Sequence, residues 1–117
     1  MRYTSITRNN DFLRAYRRGK SYVHPHVVLY VNKNRAGKTR VGITASKKLG
    51  NAPTRNRARR VLRSALTQVL PPNAGSVDVV LVARAATAAQ NSTQVAKTLR
   101  KLMQKAGLPL LPQKEPA

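Results

Sequence analysis

The chain contains no cysteine among its 117 residues, which excludes disulfides, thiolate zinc sites and thiol nucleophiles together. Carboxylates are nearly as scarce. Asp11, Asp78 and Glu115 are the only three, whereas a metal-dependent nuclease gathers several around its ions. Asp11 falls near a helix start, Asp78 beside a strand start and Glu115 in a Pro-rich tail, so local spacing suggests no pair. His24 and His26 flank Pro25 in a strand-like stretch, have no third ligand in sequence, and read as ordinary polar positions. No metal-binding set emerges, and the polypeptide is poorly equipped to hydrolyse anything alone. No apolar run approaches the length of a membrane span, and no apolar-cored signal peptide opens the chain. The expectation is a soluble, cytoplasmic protein without a membrane partner.

What is abundant is positive charge. Lys and Arg number 23 against three acids, giving a formal charge of +20 and a pI near 11.9. That exceeds what solubility requires, and self-repulsion of this size works against the compact state, so a polyanionic partner is its simplest reason. The charge is concentrated in Ser46–Arg63, SKKLGNAPTRNRARRVLR, which holds seven basic residues and no acid. Asn51-Ala52-Pro53 reads as a helix start, so the guanidinium groups that follow are presented from a rigid rod near a positive dipole end. Double-stranded DNA is disfavoured as the partner, because no helix-turn-helix spacing occurs.

The length suits one domain with one modest core, and 41% hydrophobic residues suffice to build it. Asn9 offers a cap for a helix through Phe12, Leu13 and Tyr16, with Gly19 as its stop. His26 to Asn32 reads as a strand, sending Val27, Leu29 and Val31 to one face and His26, Val28 and Tyr30 to the other. Asn34-Arg35-Ala36-Gly37 is a hairpin turn into a second arm, Thr39 to Ser46, with Val41, Ile43 and Ala45 on one face and Arg40, Gly42, Thr44 and Ser46 on the opposite one. A helix over about 53–70 has an apolar arc of Ala58, Val61, Leu62, Ala65, Leu66 and Val69; Asn56, Arg57, Arg59, Arg60 and Arg63 oppose it, with Arg55 at the border. Val77 to Arg84 is a near-continuous apolar run, as a central strand requires. A last helix over about 92–106 turns Val95, Leu99, Leu102 and Met103 inward and stacks Lys97, Lys101 and Lys105 outward, with Gly107 as its cap. These elements predict an α+β fold, a two-layer α/β sandwich of order α-β-β-α-β-α with a short extra strand near Ser21–Val23. Residues 1–107 form the single RNA-binding domain, and 108–117 are a flexible Pro-containing tail.

Two motifs have bland explanations. Gly37-Lys38-Thr39 resembles the end of a phosphate-binding loop, but Asn32 stands where the leading Gly is required and a strand follows instead of a helix. Asn91-Ser92-Thr93 matches a glycosylation sequon, yet helix capping explains it better. Phe12, Tyr16 and Tyr30 fit either core positions or positions that stack on unpaired bases. Tyr30 lies opposite the Val27/Leu29/Val31 set and so suits a groove, and the small residues Gly42, Thr44 and Ser46 keep the same sheet face low, leaving room for a strand of nucleic acid.

The run VGITASKKLGNAPTRNRARRVLR, with Ser-Lys-Lys, Gly-Asn-Ala and Arg-Asn-Arg in order and spacing, resembles the signature of the bacterial ribonuclease P protein family. Asn9, Asp11-Phe12, Tyr16, Gly19 and Ser21 before it, Leu29-Tyr30, and VDVVLVAR ending at Arg84 extend the likeness over most of the chain. Ala85-Ala86 departs from it, since a basic residue and Pro are common there. The resemblance implies a left-handed βαβ crossover, an exception to the right-handed rule. It also implies an auxiliary role, in which a catalytic RNA performs the metal-dependent cleavage of precursor tRNA, Mg2+ is held mainly by that RNA, and the protein alone is inactive. Transferred by position, Lys47, Lys48, Arg55, Asn56, Arg57, Arg59, Arg60 and Arg63 face the catalytic RNA. Phe12, Tyr16 and Tyr30, with the sheet face of Arg40, Thr44 and Ser46, form the cleft for the 5′ leader of precursor tRNA. The competing expectation is a structural RNA-binding protein such as a ribosomal component, which wants the same basic faces and which composition cannot separate.

Overall fold

The structure, a computed structural model, describes residues 3–112. Five strands form one mixed sheet: β1 (Thr4–Ser5), β2 (Lys20–His24), β3 (Val27–Lys33), β4 (Arg40–Thr44) and β5 (Val77–Ala83), in the spatial order β1-β4-β5-β3-β2. Three helices accompany them: α1 (Asn9–Arg18), α2 (Ala52–Val69) and α3 (Ser92–Lys105). The α+β architecture is as expected from the sequence. The extra strand near Ser21–Val23 is present as β2, and a two-residue β1 joins the edge beside β4.

The run VDVVLVA is apolar on both faces because β5 is the middle strand, parallel to β4 and antiparallel to β3, with Val79, Val80 and Leu81 fully buried. Its position corrects the expected hairpin. β3 and β4 are joined by the 34–39 turn but do not pair; β5 lies between them, so the turn spans two inter-strand spacings, about 9.6 Å. Asn34 holds the wider turn together: its side-chain amide donates to the Lys38 carbonyl at 3.0 Å and to Asp78 Oδ1 at 2.8 Å, and its backbone N–H donates to the Ser76 carbonyl at 3.0 Å. The β4–α2–β5 segment is thus a βαβ unit between adjacent parallel strands.

One sheet face carries the main core. Val27, Leu29, Val41, Val79 and Leu81 meet Leu62, Leu66 and Val69 of α2 and Val95, Leu99 and Met103 of α3. A fully buried Leu contributes about 1.5–3 kcal/mol, and Leu62, Leu66 and Leu99 are all fully buried. The alternate residues of the same strands face α1, where Ile6, Ala15 and Val80 form a smaller cluster with Phe12, Tyr30 and Val82 at its margin. Tyr3 fastens the N-terminal lead to the far end of α2 through its hydroxyl, which donates to the carbonyls of Leu66 and Leu70.

The caps follow the sequence in two helices of three. Asn51 caps α2 by accepting from the Thr54 backbone N–H at 3.0 Å, and Asn91 caps α3 in a reciprocal capping box with Gln94. α1 instead starts at Asn9 itself, flanked by Arg8 with no side-chain cap, and Asp11 in its first turn complements the helix dipole. At the end of α3, Gly107 adopts φ 74°, its N–H reaches the Gln104 carbonyl and the Leu108 N–H reaches that of Met103, the Schellman arrangement. The chain beyond it is not frayed at first. Leu108 and Leu110 pack on the main core, the Leu111 N–H donates to the Val69 carbonyl at 2.7 Å, and Arg100 donates to the Leu111 carbonyl at 2.7 Å. Residues 108–112 are therefore docked against α2, because Leu108, Leu110 and Leu111 around Pro109 supply apolar surface that the flexible-tail expectation overlooked. Glu115 and the remainder of that tail lie outside the described residues.

Candidate nucleic-acid interface

The α2 polar face is built as its periodicity dictates. Ala58, Leu62, Ala65, Leu66 and Val69 are buried, while Asn56, Arg57, Arg60 and Arg63 are exposed and Arg55, Arg59 and Val61 are intermediate. Some of these side chains are tied down locally. Arg57 Nε donates to the Ala88 carbonyl at 2.8 Å, and Arg59 donates to Asn56 Oδ1 at 3.0 Å and to the Ala45 carbonyl at 3.5 Å. Arg55 Nε is buried without a hydrogen-bond partner among the described residues. Arg60 and Arg63 are exposed, and neither has a hydrogen bond or ion pair to another described residue. Lys47 and Lys48 are exposed on a single 3-10 turn, Lys47–Leu49, immediately ahead of the Asn51 cap. The eight expected positions thus follow one another along the chain, Lys47 and Lys48 on the turn and the other six, from Arg55 to Arg63, on α2.

On the other sheet face, Phe12 and Tyr16 project from α1 over β3 and β4. Tyr16 is 38% exposed, and its ring meets that of half-buried Tyr30 edge-on, with centroids 5.0 Å apart. Phe12 lies directly over Gly42: a Cβ at residue 42 would sit 2.8 Å from Phe12 Cζ, closer than real contacts allow. The space that this small residue leaves is filled by an aromatic ring, which corrects the expectation of an open channel there. The open part of the face is the next row, Val28, Val82 and Thr44, cross-strand neighbours that are all half-buried. Val28 and Val82 were not expected as lining residues. Val82 shares its face with Tyr30, but in an apolar run without alternation nothing in the sequence marks which way it points. Ser46 is exposed just past β4, and the bond from Arg59 to Ala45 joins this groove to the cationic side of α2.

Arg40 is the exception among the expected groove residues. Its guanidinium donates to both oxygens of Asp78, at 2.8 and 2.7 Å, and to Asp11 Oδ2 at 3.4 Å. The hydrogen bond to Asp78, opposed by burial and aided by the charges of Asp78 and Asp11, holds the Arg40 pKa above its ordinary value. Its charge is spent inside the fold. The same contacts revise the reading of the acids, which were expected to stay apart: β4, β5 and α1 bring Asp11 and Asp78 together around one cation. Asp78 is 2% exposed, so this carboxylate is sealed from solvent. Among the described residues no group of three or more His, Asp or Glu converges on one point, and no helix is long and apolar enough to cross a membrane.

A family model described as Ribonuclease P matches residues 1–107. A relative named ribonuclease P protein component from Clostridium botulinum (strain Loch Maree) is 35% identical over 109 residues, covering 92% of this chain and 98% of the relative. Another of the same name from Clostridioides difficile is 32% identical over 108 residues, covering 89% and 92%. Among solved structures, the Staphylococcus aureus RNase P protein superposes with a TM-score of 0.72 at 29% identity, over 87% of this chain and 94% of that one. The Thermotoga maritima RNase P protein gives 0.72 at 25% identity, over 86% and 96%.

Proposed function

We propose, from the premise that this chain belongs to the ribonuclease P protein family, that it serves as the protein component of ribonuclease P in tRNA processing, one of its basic surfaces docking the catalytic RNA and its sheet groove holding the substrate's 5′ leader. The RNA makes the cut that releases the leader and leaves the mature 5′ end; the protein positions and shields charge. Lys47, Lys48, Arg55, Asn56, Arg57, Arg59, Arg60 and Arg63 meet phosphates of the catalytic RNA. Tyr16, Tyr30 and Phe12 offer ring faces and edges to leader bases, with Thr44 and Ser46 lining the path and Arg40 fixing the strands beneath it.

The observation that carries this reading is the α2 face itself. A capped helix presents Arg60 and Arg63 with no partner among the described residues while both described carboxylates are engaged elsewhere, so their charge is left for an outside anion. Tethering by Ala88, Ala45 and Asn56 pre-orders Arg57 and Arg59, which lowers the entropy cost of meeting a phosphate.

Among the described residues, none fits the Mg2+ that the family's reaction needs. Asp11 and Asp78 face a guanidinium, and Asp78 has no open coordination side. The ions are therefore assigned to the RNA, and no step is drawn through the protein. The enzyme works in the cytoplasm on precursor tRNA.

Reconstitution tests the reading. The protein is mixed with the ribonuclease P RNA of the same genome and a precursor tRNA with a labelled 5′ leader, and cleavage is followed at low Mg2+. Faster cleavage with protein plus RNA, and none with protein alone, is expected. Cleavage by RNA-free protein, lost on substituting Asp11 or Asp78, would overturn it, and stable recovery of the chain with a ribosomal subunit would favour the structural alternative.

A further inference from the structure

A second cationic surface is built on α3, away from the α2 arginines. Lys97, Lys101 and Lys105 are exposed and spaced four residues apart, so their stems stack about 6 Å from one another at about 1.5 Å per residue. Around the helix they occupy the arc between Arg100 and Thr98. Arg100 reaches towards α2 by donating to the carbonyls of Leu111 and Gln68. Thr98 Oγ1 hydrogen-bonds His26 Nδ1 at 3.1 Å and so ties α3 to the β2–β3 turn. That turn sets the His24 ring edge-on to His26, with centroids 4.7 Å apart, and a shallow hollow beside it is lined by Val23, His24, Pro25 and Arg84.

Nothing in the described fold neutralises this cluster. Like charges four residues apart cost helix stability, and the two described acids are both held at Arg40 on the other sheet face. The field is strong enough to act on a neighbour: burial first, then the charges of His26, Lys101 and Lys105, hold the His24 pKa below the usual imidazole value. A row of cations without partners among the described residues, continuing to His24 and Arg84 at the edge of that hollow, is complementary to a run of backbone phosphates.

We infer that Lys97, Lys101 and Lys105 of α3, together with His24 and Arg84 at the adjoining turn, form a second phosphate-binding surface that grips RNA separately from α2. The inference rests on the ribonuclease P reading for its partner and deepens it: one small protein then touches RNA on two sides of its helical layer and bridges two RNA segments.

Because the chain lacks cysteine, a single introduced thiol can carry a tethered iron chelate that cuts nearby RNA. Gln104→Cys places it in the lysine arc of α3, and Ser64→Cys beside the α2 arginines, both at exposed positions. With the ribonuclease P RNA bound, cuts from residue 104 are expected in a segment that residue 64 does not reach. In parallel, the triple variant Lys97→Gln, Lys101→Gln, Lys105→Gln is expected to flatten the salt dependence of RNA binding by about 2, at about 0.7 per lost phosphate contact, more than a control triple at Lys33, Arg35 and Lys38. Cuts from residue 64 with none above background from residue 104, or equal slopes in the two triples, would overturn the second surface and leave the α2 interface standing. Absence of cuts from both positions, with no binding by the unsubstituted protein, would overturn the ribonuclease P reading itself.

Discussion

Arg40 and Asp78 face each other across the parallel β4–β5 ladder and are joined by two hydrogen bonds of 2.8 and 2.7 Å. The pair locks the buried centre of the sheet to the strand that leads into the basic segment, and Asp11 extends the lock to α1. Removing one partner leaves a charge in a poorly hydrated place, so Asp78→Ala is expected to cost about 3 kcal/mol, read as a lower urea midpoint of the RNA-free protein. Arg40→Gln should behave alike. An unchanged midpoint with loss of discrimination between precursor and mature tRNA would instead put Arg40 in contact with the leader.

Gly42 and Phe12 make a steric prediction. A methyl at residue 42 meets the Phe12 ring and the Ile6 Cβ, so Gly42→Ala is expected to destabilise by about 1–3 kcal/mol, the usual cost of overpacking. Trimming the ring should relieve it, so the Gly42→Ala, Phe12→Leu double variant should be less destabilised than the sum of the two singles. Additive losses in thermal melts would show that the ring is not what the methyl meets.

The two tyrosines of the groove are expected to separate stability from binding. Tyr16→Ala removes an exposed ring and about 0.5–1.5 kcal/mol of aromatic pairing, whereas Tyr30→Ala also opens the smaller apolar cluster and should lower the thermal midpoint further. Each ring that stacks on a leader base should cost about 1–3 kcal/mol of precursor affinity, with mature tRNA unaffected. Equal losses for both RNAs would remove the tyrosines from the leader path.

Arg60 and Arg63 have no side-chain bonds to other described residues to lose, so Arg60→Ala and Arg63→Ala should leave folding intact. Each is expected to flatten the salt dependence of assembly by about 0.7 if it meets a single-stranded phosphate. Unchanged slopes and cleavage rates in both variants would mark this face as merely hydrated.

His24 supplies a pH prediction. Its pKa is lower in the folded protein than in the unfolded chain, so the unfolded chain binds more protons as pH falls through the ordinary imidazole range. Stability is therefore undiminished above that range and is lost as pH drops through it towards the lowered folded value. A phosphate beside His24, Arg84, Lys101 and Lys105 would reverse the local field and raise the pKa in the complex. RNA binding should then tighten from pH 8 to pH 6 in the native protein and lose that dependence in His24→Ala. NMR titration of the His24 ring with and without RNA checks the direction.

The α2 face was legible because three local signals agree there: an Asn cap, Pro at the first turn, and apolar residues at helical period. α3 was legible for the same reason. The sheet was only half legible. Strand positions followed from alternation, but which strand pairs with which is a long-range matter, and the 34–37 turn reads locally as a hairpin because nothing nearby reports that β5 will arrive between its arms. Arg40 shows the same limit in the site: its face was right, yet its partner lies 38 residues away, and its engagement with Asp78 follows from the ladder register rather than from any motif. Gly42 was correctly seen as small, and only the packing of α1 reveals that a ring and not a nucleotide needs the space.

The insertion of β5 between β3 and β4 also sets a constraint on how the chain folds. A hairpin closes in about 1–10 μs, so two complementary arms joined by a short turn find each other long before residues 77–83 can be threaded alongside them. Any such pairing is a dead end that must reopen to admit the central strand. Of the large ladders, only β2–β3 is local, and the other two wait for α2 to form and deliver its far end. Late, non-local closure is thus expected to limit folding, because a nascent chain halted before Val77 lacks the strand to which both β3 and β4 pair. A polyanion bound to α2, as proposed above, would then act before activity begins, by damping the repulsion among the arginines while the helix settles on the sheet.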